Sequence, residues 1–120
     1  MKYMALIYTE PASDADFGTP EFQAMMQGYF DFNTFLKEKG ALVFAEALQG
    51  IETATSLRIR AGKTETMDGP YAETREHLGG FYIMDVPDLD TALRYAAMIP
   101  GAHHGTVEVR PLMNYDPAGT

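Results

Sequence analysis

Two segments of the chain, each predicted to be a strand, carry apolar side chains on both of their faces. They are Lys2–Tyr8 and Gly80–Val86. Side chains alternate between the two faces of a strand, so an uninterrupted apolar run is typical of a strand in the centre of a sheet. We therefore predict two central strands that carry apolar side chains on both sides of the sheet.

Two amphipathic helices are predicted between the strands. The first begins with Thr19 as N-cap and Pro20 at its first position, and it ends near Gly40. The second begins after Asp88 and stops at the Pro-Gly pair at 100–101. The residues predicted to form the apolar sides of the two helices are Phe22, Met25, Met26, Tyr29, Phe32, Phe35 and Leu36 in the first, and Leu89, Ala92, Leu93, Ala96 and Ile99 in the second.

Shorter strands complete the pattern. They are predicted at Ala41–Ala45, Thr55–Arg60, Thr64–Met67 and Thr106–Arg110, with a hairpin turn at 62–63. The order of elements predicts an α+β fold, a ferredoxin-like sandwich in which two helices cover one face of an antiparallel sheet. We predict one domain over residues 1–113 and a flexible C-terminal tail over 114–120.

The predicted fold leaves one apolar sheet face uncovered. Met4, Leu6 and Tyr8 alternate with Tyr3, Ala5 and Ile7, and two helices can cover only one of these sets. Soluble monomers avoid large exposed apolar patches. We therefore predict a homodimer in which the open faces of two sheets pack together.

Composition limits the classes of partner and location. The chain has 120 residues with a net charge of −8, which disfavours direct nucleic-acid binding and anionic membrane surfaces. No apolar run approaches the roughly 20 residues of a membrane-spanning helix, and the N-terminal segment does not look like a signal peptide. The absence of cysteine is compatible with a cytoplasmic location and excludes disulfides and thiolate metal sites.

The segment from Asp68 to Gly80 is the densest in candidate chemistry. It reads Asp-Gly-Pro-Tyr-Ala-Glu-Thr-Arg-Glu-His-Leu-Gly-Gly, a tight turn followed by ionisable residues that lead into a predicted central strand. A charged loop fixed to a rigid strand is a favourable place for a binding site. Its glycines do not open a helix, so no phosphate-binding loop is predicted.

This segment resembles the YCII-related family, in the branch named for an Asp-Gly-Pro-Phe motif. Tyr71 replaces the usual Phe and Arg75 the usual Lys, so chemistry that needs a lysine amine is not expected here. The resemblance extends over nearly the whole chain and implies a ferredoxin-like fold that pairs into a dimeric α+β barrel. The activity of the family is largely unestablished. Some relatives have been viewed as enzymes with a His–Asp pair in a cleft, and others accompany or are fused to sigma-factor-like regulators.

Asp68 and His77 are the candidate catalytic residues. Asp68 is a proton acceptor if a cleft desolvates it, and otherwise a turn residue whose carboxylate accepts backbone hydrogen bonds. His77 is the imidazole best placed for proton transfer. We expect His103 and His104 to lie in a surface loop and predict neither a metal nor a cofactor.

Candidate ligand-binding residues surround this pair. Arginines on the polar faces of predicted strands would suit a small anionic ligand, but ion pairs with acidic side chains across the strands or between subunits are the favoured explanation. The predicted ligand-binding residues are Tyr8, Arg58, Arg60, Tyr71, Glu73, Arg75, Glu76 and Arg110.

Two hypotheses for function remain open. The first is a protein that binds a small molecule in a dimer cleft and carries out acid–base chemistry with Asp68. The second is a non-catalytic regulatory or interaction module with a sigma-factor-like protein partner, which rests on the acidic surface and on the resemblance. The substrate, the reaction and the identity of any partner do not follow from the sequence.

Overall fold

The computed structural model describes residues 1–10 and 16–115 and shows two layers, a sheet and a helical layer. Its thickness of 18 Å matches these two layers. In chain order the elements are β1 (Lys2–Thr9), α1 (Pro20–Glu38), β2 (Leu42–Ala47), β3 (Thr55–Arg60), β4 (Lys63–Asp68), β5 (His77–Asp85), α2 (Leu89–Ala96) and β6 (Thr106–Pro111), with short 3-10 turns at Ile51–Thr53 and Pro100–His103.

The main sheet has four antiparallel strands in the order β2-β5-β1-β6. The two central strands, β1 and β5, are the two predicted from the continuous apolar pattern. This order, with α1 and α2 on one face, confirms the ferredoxin-like α+β fold. Strands β3 and β4 form a separate hairpin, Thr55–Asp68, that is not hydrogen-bonded to the main sheet; we call it the arm.

The core lies between the helices and one face of the main sheet. Tyr3, Ala5 and Ile7 of β1 are buried there. The rest of the buried core comprises Phe32, Leu36, Ala41, Tyr82, Met84, Val86, Ala92, Ala96 and Ile99. Met4, Leu6 and Tyr8 lie on the opposite face, as predicted, and are only partly covered by the described residues.

Both helices begin where their capping residues predict. The Thr19 hydroxyl accepts a hydrogen bond from the Phe22 N–H at 3.1 Å, and Pro20 opens α1. Asp88 accepts a hydrogen bond from the Thr91 N–H at 2.8 Å. Hydrogen bonding by the Thr91 side chain first, and by its backbone N–H second, lowers the pKa of the Asp88 carboxyl. The capping signals therefore place both helix N-termini correctly.

The predicted apolar side of α2 is partly wrong. Ala92 and Ala96 are buried, but Leu89 and Leu93 are 46% and 48% exposed, and Thr91 is buried instead. This short helix packs against the sheet through its small side chains. The two leucines therefore lie on the outer side of the helix.

Several boundaries also differ from the prediction, among them the end of α2, which lies at Ala96 rather than at the Pro-Gly pair. Strand β5 begins at His77 rather than Gly80, because His77 and Leu78 pair with the end of β1. Strand β2 runs two residues beyond Ala45. The arm turns at Ala61 and Gly62, both with positive φ, so Lys63 belongs to β4 rather than to the turn.

The predicted C-terminal tail begins at Asn114. Residues 114 and 115 are described without regular secondary structure, and 116–120 lie outside the described residues. No helix in the described parts of the chain is long and apolar enough to cross a membrane.

Candidate functional site

An open cleft of about 1220 Å³ lies at the end of the main sheet where β1 ends and β5 and β6 begin. Tyr8 forms part of its floor, opposite Leu78 on one side and Thr106 on the other in the strand register. These side chains lie on the sheet face that the helices leave open. The described residues that line the rest of the cleft are Glu10, Leu48, Gln49, Gly50, Ile51, Thr53, Ala54, Ser56, Pro70, Tyr71, Ala72, Thr74, Arg75, Glu76, His77 and Glu108.

The Asp-Gly-Pro turn connects the arm to this cleft. Gly69 has a φ of +98°, a conformation that favours glycine over residues with a side chain. Its N–H donates to the carbonyl of Ala54 at 2.8 Å, and its own carbonyl accepts the Ser56 hydroxyl at 2.8 Å. The turn is thus bonded to the base of the arm, and the chain leaving it forms one wall of the cleft.

Polar contacts attach this wall to the sheet and to the end of β1. The Thr106 hydroxyl donates to the Glu76 carboxylate at 2.7 Å. The Arg75 guanidinium lies 3.3 Å from the Glu10 carboxylate, although the Arg75 side chain is 92% exposed. The first contact positions Glu76 beside β6, whereas an ion pair this exposed adds little to stability.

Five of the predicted site residues line this one cleft, and five do not. Those in the lining are Tyr8, Tyr71, Arg75, Glu76 and His77. Asp68 is exposed at the end of β4 and is not among the lining residues, so this cleft does not desolvate it in the way that the catalytic hypothesis requires. The others outside the lining are Arg58, Arg60, Glu73 and Arg110.

Two of the predicted arginines form ion pairs within the chain. Arg58 lies 3.2 Å from Glu65, directly across the arm, and Arg110 lies 2.9 Å from Glu108 on the same strand. For these two residues the structure matches the ion-pair alternative. All four groups are substantially exposed.

The predicted surface position of the neighbouring histidines is confirmed. His103 ends a 3-10 turn and His104 follows it, and both are exposed. Within residues 1–10 and 16–115, no group of three or more His, Asp or Glu side chains is arranged to hold a metal ion.

Sequence reasoning missed one wall of the cleft and a neighbouring groove. Residues 48–54 carry no motif, yet they line the cleft because they connect β2 to the arm. On the helical side of the same segment lies a groove of about 770 Å³. Phe22, Met25, Met26 and Tyr29, all from the predicted apolar side of α1, line it and are half-buried, and Tyr29 also packs against the core. His77 lines both spaces.

The fold is similar to that of a solved enzyme. Over 96% of both chains, the structure matches 5-chloro-2-hydroxyhydroquinone dehydrochlorinase from Burkholderia phenoliruptrix AC1100, in a complex with 2,5-dihydroxybenzoquinone, with a TM-score of 0.52 and 13% identity. At this identity the similarity concerns the fold alone.

Two comparisons of the sequence identify the family. An uncharacterised protein from Rhizobium meliloti (strain 1021) is 36% identical over 119 residues, which cover 98% of this chain and 96% of the relative. The family model of the YCII-related domain matches residues 1–116. Together with the ferredoxin-like fold, these matches show that the chain belongs to the YCII-related family.

Proposed function

We propose that the cleft beside Tyr8 binds a small, uncharged molecule rich in hydroxyl groups. The observation that supports this function is the convergence of five predicted site residues on one open cleft. Aromatic and ionisable side chains gathered in a concave site are typical of small-molecule binding.

The charge of the described lining favours such a ligand over an anion. Three carboxylates, from Glu10, Glu76 and Glu108, face one guanidinium, from Arg75. Carboxylates accept hydrogen bonds from hydroxyl groups but repel another carboxylate. The small anionic ligand expected from the arginines is therefore the less favourable choice, since Arg58 is paired with Glu65 outside this lining and Arg110 is paired with Glu108 of the lining.

Aromatic rings and the related enzyme fold suggest a hydroxylated ring compound. Tyr8 and Tyr71 line the cleft and offer ring faces for stacking. The dehydrochlorinase with the similar fold is in complex with 2,5-dihydroxybenzoquinone, a small hydroxylated ring. This ligand supports a small oxygenated ring but not the absence of charge, since hydroxyquinones are acidic, and the likeness does not extend to the reaction.

The proposal assigns proton transfer to His77 in place of Asp68. His77 is half-buried and lines the cleft, whereas Asp68 lies outside the lining. An imidazole can accept or donate a proton near neutral pH. The neighbouring Glu76 carboxylate is held by Thr106 and is available to orient a ligand hydroxyl.

The same proposal includes a homodimer that packs through the open sheet face. Phe81 and Ile83 lie opposite Leu6 and Met4 in the strand register and form an apolar centre on that face. Light scattering after size-exclusion chromatography tests it: a particle of twice the 13.3 kDa chain mass supports the dimer, and a monomer at micromolar concentration contradicts it.

Binding of two matched probes tests the cleft. We expect hydroquinone to bind about 10-fold more tightly, measured by titration calorimetry, than 2,5-dihydroxybenzoate, which adds a carboxylate to the same ring. Glu76→Gln should reduce this preference, while Glu38→Gln, at the far end of α1, should leave it unchanged. Equal binding of both probes, or tighter binding of the benzoate, would contradict the charge argument.

The non-catalytic alternative uses the same cleft as an effector site. A net charge of −8 supports interaction with a basic partner surface. Ligand binding that His77→Gln leaves intact, with no conversion of the ligand by the wild type, would favour this alternative, and capture of a sigma-factor-like protein would support the predicted partner.

A further inference from the structure

The arm exposes both of its faces. Every residue of β4 is exposed, and so is every residue of β3 except Ser56. Leu57, Ile59 and Met67 are 66%, 61% and 49% exposed. An isolated two-stranded hairpin is only marginally stable in water. The arm therefore needs a surface to cover it, and the described part of its own subunit does not supply one.

Leu57 and Ile59 share one face of the arm. In the register they lie opposite Thr66 and Thr64, so the face is an apolar strip on one strand bordered by threonines on the other. Arg58 lies on the opposite face. Such a strip, aliphatic and without charge, fits an apolar partner surface.

The open face of the main sheet supplies an apolar surface with one suitable edge. Edge strand β6 presents Glu108 and Arg110 there, already paired with each other. Edge strand β2 presents Phe44 and Glu46, and Phe44 is 51% exposed with its ring 6.2 Å from that of Phe81. Of the two edges, β2 is therefore the one where the aliphatic strip of the arm can pack against aromatic side chains.

Charge also favours an acidic partner, such as a second copy of this chain, over a basic one. The arm carries Arg58, Arg60 and Lys63 against Glu65 and Asp68, a net charge of +1. The remainder of the chain has a net charge of −9. The positive arm is attracted to the acidic body of another copy and is weakly repelled by a basic protein.

We propose that the arm of one subunit docks on the β2 edge of the open sheet face of a second copy, with Leu57 and Ile59 against Phe44. This proposal rests on the homodimer proposed above. Because the Asp-Gly-Pro turn is bonded to the arm's base through Gly69, docking of the arm also fixes the wall of the cleft that carries Tyr71 and Arg75. Dimerisation and the shape of the ligand site are then linked.

A pair of double variants tests the arm. We expect Leu57→Ser with Ile59→Ser to raise the dimer dissociation constant at least about 100-fold in sedimentation equilibrium, because each dimer loses four apolar side chains from its interface. Leu89→Ser with Leu93→Ser is the matched control: it removes two leucines of lower exposure from the outer side of α2 and should leave the constant unchanged.

The outcomes separate the two proposals. A monomeric wild type overturns the homodimer and the arm together. A dimeric wild type whose constant does not change in the Leu57/Ile59 variant overturns the arm proposal and leaves the homodimer standing.

Crosslinking keeps the proposal testable if the arm variant fails to fold. The chain has no cysteine, so Ala61→Cys at the tip of the arm takes a single benzophenone label. In a mixture of ¹⁵N-labelled and unlabelled subunits, we expect crosslinks between heavy and light chains at residues 42–47. Crosslinks confined to one isotopic form would overturn the docking of the arm on a second copy.

Discussion

Replacement of Tyr82 by Phe tests the packing of the core and its response to pH. Tyr82 is 5% exposed, its ring packs edge-on against Phe32, and its hydroxyl donates to the Asn33 side chain at 2.6 Å. Phe keeps the ring but removes the hydrogen bond. We expect Tyr82→Phe to lower the free energy of unfolding at pH 8 by about 1 kcal/mol, the usual net value of one such bond.

The pH dependence provides the sharper test. Burial, and secondarily the neighbouring Tyr29, raises the pKa of Tyr82 from 10.0 to about 12. Above pH 10 the unfolded chain loses this proton while the folded chain keeps it, so the unfolded state binds fewer protons and stability falls as pH rises. The contribution is fully present below pH 10 and is lost between pH 10 and 12. With these pKa values, the wild type loses about 1.3 kcal/mol between pH 9 and 11, and the variant lacks this loss.

The difference between wild type and variant isolates this group. Urea unfolding at fixed protein concentration, followed by circular dichroism at pH 8, 9, 10 and 11, gives both free energies. We expect the advantage of the wild type to disappear near pH 11. Tyr115→Phe is the control, since Tyr115 is 79% exposed and should show no such trend. A difference between wild type and Tyr82→Phe that stays constant from pH 8 to 11 would refute the account of Tyr82 as a buried, hydrogen-bonded phenol.

Three further predictions concern the backbone and the site. Gly80→Ala should destabilise the fold by about 2 kcal/mol, because a Cβ there would lie 2.8 Å from the Glu46 carbonyl oxygen, whereas Gly79→Ala meets nothing closer than 4.0 Å and should change thermal stability little. Thr19→Ala should lower the free energy of unfolding by about 1 kcal/mol through loss of the α1 cap, measured in urea, and Thr19→Ser should recover most of it. Arg75→Gln should alter unfolding by less than about 0.5 kcal/mol, because its ion pair is so exposed; a larger change would show that this residue supports the fold rather than a ligand.

The elements that the sequence predicts correctly are those fixed by local rules. A capping hydroxyl or carboxylate, as in Thr19 and Asp88, needs only the next turn of its own helix. The two central strands follow from continuous apolar runs, such as Met4 to Tyr8, in which both strand faces are apolar. From the order of these elements the ferredoxin-like topology follows, and the structure confirms it.

The parts that could not be predicted depend on contacts far apart in the chain. Leu93 has the right spacing for burial in α2, but the approach of that helix to the sheet is set by Ala92 and Ala96, and no local pattern shows this. Likewise, residues 48–54 line the cleft only because the arm begins there. The sequence suggests a catalytic role for Asp68 because aspartate is common both in turns and in active sites.

The Asp-Gly-Pro segment joins structural constraints to a candidate site, which explains why it indicates the family more directly than the chemistry. At its ends the backbone sets the residue type: Gly69 has a φ of +98°, and Gly80 lies against the backbone of β2. Between these glycines, the chain from Tyr71 to His77 forms a wall of the cleft, and the fold does not require particular side chains there. Exchanging Tyr71 or Arg75 for other residues should therefore change which molecule binds without changing the fold. A side chain at Gly80 should instead destabilise the fold, because it would meet the backbone of β2.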